Sequence, residues 1–135
     1  MRWFNNKVQA RDIWEEPVPV PLGDIEAAER IRAICRSASD SAEFVGGVAP
    51  RGDAAKRSPP KQQEKESARY QRAAKAAMEI AMKVSDELMR DAAVREIVEL
   101  CLTARDMKTA RILFRAIQSP SIRDGLVRER PELVG

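Results

Sequence analysis

Two stretches of this chain are nearly the same text 33 positions apart: "RDAAVRE" over residues 90–96 and "RDGLVRE" over 123–129. Sliding residues 77–96 onto 110–129 gives six identities in 20 positions. Ile80/Leu113, Val84/Ile117 and Met89/Ile122 add conservative matches. A period near 33–34 is that of stacked helical hairpins, in which no unit buries its apolar face alone. The repeat therefore restricts the C-terminal half to a tandem of helix–turn–helix units.

Periodicity within each unit agrees. Tyr70, Ala73, Ala74, Ala77, Ile80, Ala81, Val84 and Leu88 recur at spacings of three and four, the signature of one helix face. Ser85 is read as the cap of a helix from about Glu87, which carries Val94, Ile97, Val98, Cys101 and Leu102. Asp106 caps "MKTARILFRAI", and Ser119 with Pro120 opens a last short helix that stops before Pro131. Aromatics are only 4% of the chain, and alanine supplies much of the 44% hydrophobic share. Such a core suits closely packed helices better than a β-sandwich.

Upstream the pattern changes. "MRWFNNKVQARDIW" holds both tryptophans, and Pro17, Pro19 and Pro21 then impose an extended connector. Asp24 is read as the N-cap of a helix with Ile25, Ala28, Ile31, Ile34, Cys35 and Ala38 along one stripe. From Ser39 to about Ser67 the periodicity lapses, and Gly46-Gly47, Pro50, Gly52 and Pro59-Pro60 punctuate the stretch. The expected organisation is all-α: an aromatic and proline-rich arm (1–23), an isolated helix (24–38), a flexible basic linker (39–66) and a helical hairpin repeat domain (67–131).

In "VREIVELCLTARDMKTARILFRAI" the repeat resembles the tetratricopeptide-like family. Ala110 and Phe114 sit where that family places a small residue and, four positions on, an aromatic in its second helix. Val94, Ile97, Val98 and Cys101 would be the inward positions of its first helix. The sequence departs from the pattern at Val98, where a small residue is usual, at Cys101, where an aromatic is, and at Pro120, where the closing proline falls early. The resemblance covers roughly residues 68–130 and under two repeats. It implies stacked antiparallel hairpins that bind another protein.

Chemistry is sparse. The chain has no histidine, which excludes Ser-His-Asp triads, Cys-His pairs and His-based metal sites. Its two cysteines, Cys35 and Cys101, lie far apart and are expected to be reduced, apolar core residues. "VGGVAPRGD" lacks the spacing of a phosphate loop. Helical acids alternate with bases, as in Glu79/Lys83, Asp86/Arg90 and Asp91/Arg95, the pattern of solvated ion pairs. No catalytic residue, cofactor or metal is expected, and the chain is read as not an enzyme. No signal peptide or membrane span is expected either, which points to the cytoplasm.

Contact is the remaining function. Trp3, Phe4 and Trp14 on the arm, with Arg111 and Arg115 on the helix after Asp106, are the expected residues for binding a partner protein. Arg90, Arg95, Arg123 and Arg128 recur once per repeat and are expected to staple neighbouring hairpins through Asp91 and Asp124. Leu100, Leu102, Ile112 and Leu113 exceed one inward stripe per helix, so the N-terminal helix or a second copy must cover them; a homodimer is favoured. The alternative is a nucleic-acid-binding accessory protein using Lys56, Arg57, Lys61, Lys65, Arg69 and Arg72. A net charge of only +3 over 24 basic and 21 acidic residues argues against a dedicated nucleic-acid binder.

Overall fold

The computed structural model describes residues 12–18, 20–47 and 60–134. They form five helices: α1 (Asp24–Val45), α2 (Pro60–Ala81), α3 (Glu87–Thr103), α4 (Met107–Ala116) and α5 (Pro120–Glu129). Single 3-10 turns flank them at Ile13–Glu15 and Pro131–Leu133, and no strand occurs among the described residues. The expected all-α fold is the one observed.

α1 packs along α2 and α3, and α3 packs in turn against α4 and α5. Small residues make the first of these contacts close: Ala27, Ala38 and Ala42 of α1 are buried with Ala73, Ala77 and Ala81 of α2. Ile31, Ile34, Ile97, Val98, Cys101, Ile117 and Leu126 fill the centre. The helix after Asp24 is thus one wall of the core and not an isolated element. It also runs seven residues past Ala38, to Val45, and α2 starts at Pro60. Residues 39–45 and 60–66, expected as flexible linker, are helical; 48–59 lie outside the described residues. The periodicity lapses there because the inward positions are Ser41 and Ala42, not large apolar residues. Ser41 is fully buried, and its hydroxyl donates to Glu66 Oε1 (2.6 Å) and accepts from Arg69 Nη1 (2.7 Å).

Cross-helix bonds repeat with the sequence. Arg90 Nη1 donates to the Val84 carbonyl (3.2 Å), and 33 residues on Arg123 Nη1 donates to the Ile117 carbonyl (3.1 Å). Asp91 Oδ2 accepts the N–H groups of Gln118 (3.1 Å) and Ser119 (2.8 Å), which tether the α4–α5 turn to α3. The turn 33 residues earlier is tethered alike: Ser85 and Asp86 donate to Asp24 Oδ1 (2.8 Å) and Oδ2 (2.9 Å). In these tethers α1 stands to α2 and α3 as α3 stands to α4 and α5. The stacking is compatible with a helical repeat that begins one helix earlier than the sequence match.

Several caps depart from expectation for this reason. Asp24 is the first residue of α1, not its N-cap; the cap position is Gly23, whose N–H is accepted by Glu26 Oε1 (3.0 Å). Asp86, not Ser85, caps α3 through the Met89 N–H (2.8 Å). Ser119 holds the cap position of α5, but its side chain makes no cap bond. Asp106 does cap α4, through the Thr109 N–H (3.2 Å), and its other oxygen accepts the Tyr70 hydroxyl (2.7 Å).

Candidate interaction surface

The α1–α2 pair carries the most elaborate polar cluster. Residues 12–18 lie across it, with Trp14 only 8% exposed. The Arg69 guanidinium sits 4.9 Å from the Trp14 ring centroid. Its Nη2 and Nε donate to Asp12 Oδ1 at 2.7 and 3.2 Å. A further tie is Arg30 Nη2 to the Glu16 carbonyl. Trp14 is therefore spent inside the chain rather than offered to solvent. Arg69, grouped in sequence with possible phosphate contacts, is turned onto this cluster.

Lys61, Lys65 and Arg72 stand exposed on one face of α2, four and seven residues apart, with Lys75 one turn on. Arg115 is exposed on α4, whereas Arg111 Nη2 is bonded to the Glu132 carbonyl (2.9 Å) beside the last 3-10 turn. Trp3, Phe4, Lys56 and Arg57 lie outside the described residues.

Of the repeated arginines, Arg95 reaches across to α5, at 3.0 Å from Glu129, and along its own helix to Glu99 (3.8 Å). Arg130 also meets Glu99 (3.7 Å). The expected pairs Glu79/Lys83, Asp86/Arg90 and Asp91/Arg95 do not form; Arg90 approaches Glu87 instead (3.9 Å). Asp86 and Asp91 are taken up by backbone N–H groups, which hold a carboxylate in place without a second mobile side chain. Asp91 does staple hairpin to hairpin, at 2% exposure, while Asp124 is exposed. Asp24, read from the sequence as an N-cap, ties a distant turn instead; Asp91 is at the hairpin contact expected from the repeated segment, but it bonds backbone N–H groups and not the arginines.

Two of the open grooves on the described surface lie between helices. One of about 640 Å³ separates α1 from α3 and is lined by Arg32, Cys35, Arg36, Arg95, Glu96 and Leu100. Arg32 bridges it to Glu96 (3.5 Å). The other, about 440 Å³, separates α2 from α4; Ala74, Met78 and Leu113 line it, with Gln71, Lys75 and Thr109.

Burial pushes the Cys35 thiol up to about 12 and the Cys101 thiol up to about 11, so both are protonated at neutral pH. Burial also pushes the Tyr70 phenol upward. The Ser85 and Asp86 N–H groups hold the Asp24 carboxyl below its ordinary range. Among the described residues no three His, Cys, Asp or Glu side chains gather closely enough to hold a metal ion, and no helix is long and apolar enough to cross a membrane. Comparison with protein-family models, curated proteins and solved structures yields no match.

Proposed function

We propose that this chain is a non-enzymatic adaptor or regulatory module of the tetratricopeptide-like kind, which binds another protein across the α2–α4 groove. The observation that carries this reading is the groove itself: apolar side chains between two helices, with Lys75 and Thr109 beside them. A floor of that kind gives contact area, and the polar groups give orientation. A cytoplasmic setting belongs to the same reading, because the two free thiols of Cys35 and Cys101 persist where thiols stay reduced. The test is recovery of partner from native extract on tagged full-length wild type and on Met78→Glu, with helicity followed by circular dichroism. A partner held by wild type and reduced about tenfold or more by the variant, a loss of roughly 1.4 kcal/mol, supports the groove. Equal recovery on both proteins removes it.

A second reading rests on the exposed row Lys61, Lys65 and Arg72, which suits contact with a phosphate backbone. Duplex and single-strand binding at low and raised salt decides it. Steep loss with salt supports it, and no retention at low salt ends it.

A further inference from the structure

Residues 12–18 have an unusual standing in this fold. The repeat geometry puts helices on both sides of α2: α1 and α3 pack against it, and α4 lies across the groove. Residues 12–18 occupy the remaining side, away from that groove, where a preceding helix would lie in a longer stack. They fill it without being a helix; only Ile13–Glu15 forms a single 3-10 turn. Ile13 and Val18 pack against the core and Arg30 holds the Glu16 carbonyl, while the Asp12 carboxylate and the Trp14 ring both converge on Arg69. The fit is also incomplete, since Trp14 Nε1 is buried with no acceptor among the described residues. A buried donor without a partner weakens the bound state relative to any segment that supplies one.

A short segment, held by an aromatic ring and a carboxylate two residues before it, has the form of a bound peptide tethered to its own receptor. We propose that the Arg69 slot on α1–α2 is a recognition site for partner segments carrying a carboxylate two residues before an aromatic ring, closed in the resting chain by its own Asp12 and Trp14. Arg69 reads the carboxylate with Nε and Nη2 and the ring with its face, while Ser41, itself bonded to Glu66, accepts from Nη1 behind it. The tether keeps the slot filled: a linked segment competes at an effective concentration that free peptide seldom reaches. This site is distinct from the α2–α4 groove, so either can fail without the other.

The experiment opens the slot in the full chain with Asp12→Ala/Trp14→Ala and adds a labelled peptide of residues 12–22, followed by fluorescence anisotropy. Circular dichroism confirms that the variant keeps its helices. The expected result is saturable binding to the variant and none to wild type. Adding Arg69→Ala to the variant, or using a peptide with Asp12→Ala, should weaken binding about tenfold, the scale of a lost charge-assisted hydrogen bond. A folded variant that does not bind the peptide overturns the proposal. So does loss of helicity in the variant, which would make residues 12–18 a fixed part of the core. Binding unaffected by Arg69→Ala would also sink it, because recognition would then owe nothing to the carboxylate.

Discussion

Asp24 and Asp91 show how much a single carboxylate can organise when backbone N–H groups, and not side chains, are its partners. Each carboxylate accepts two donors at the start of a later helix, Asp24 with both oxygens and Asp91 with Oδ2, so one side chain sets the position of a later turn. Asp91 is the more buried of the two, and Asp91→Ala leaves the Gln118 and Ser119 N–H groups without their acceptor. The expected loss is about 3 kcal/mol, from the cost of orphaning donors of a charge-assisted bond, read from urea unfolding. Asp24 is solvent-facing, and its signature is pH dependence. Its folded pKa is lowered by Ser85 and then Asp86, so its contribution is present above the ordinary value of 3.8 and is lost as pH falls through the lower folded value. Unfolding of wild type and Asp24→Asn should therefore differ most at neutral pH and converge in acid. A difference that stays constant from pH 7 to below 3 would show that the carboxylate charge is not involved.

At the scale of elements, the end of α1 depends on two adjacent glycines for opposite reasons. Gly46 has an ordinary φ of −75°, but a Cβ there would run into the Thr103 carbonyl at the end of α3. Gly47 has φ +79° with open space around it. The first is needed for close approach and the second for a left-handed turn. Gly46→Ala should cost about 1–3 kcal/mol, as overpacking does, because α1 and α3 must separate. Gly47→Ala should cost about 1–2 kcal/mol through backbone strain alone. Denaturant midpoints for the two variants check the order, and amide exchange at the end of α3 should rise in Gly46→Ala only.

For the molecule as a whole, the question raised by two short repeats was what covers their ends. Among the described residues the chain covers part of them itself. Trp14 is buried on the α1–α2 side, and Leu133, in the turn after α5, is buried where Arg111 meets Glu132. Of the apolar surplus that favoured a homodimer, Leu100 and Leu113 are buried, Leu102 is half-buried, and only Ile112 stands clear at 52% exposure. Isolated apolar residues are ordinary on protein surfaces. Light scattering should accordingly return the 15.1 kDa of one chain, and a mass of twice that would show that the face around Ile112 is an interface.

The sequence by itself determined the helical class, the capping of α4 by Asp106 and the register of the last two hairpins. These are local matters: 3.6-residue periodicity, side chains that cap their own helix, and a segment that recurs 33 residues on. The tertiary structure alone decided that α1 belongs to the stack, that Asp24 ties a distant turn, that Ser41 to Val45 continue a helix, and that Arg69 clasps Asp12 and Trp14. Each joins residues 25 or more positions apart. A small residue such as Ser41 or Ala42 carries no hydrophobic signal, and it becomes an interior position only when another helix lies close enough to need it small. In the same way a carboxylate or guanidinium declares no partner in sequence. Packing brings the backbone N–H groups or the aromatic ring within reach, and the charge then takes the role that costs least to satisfy.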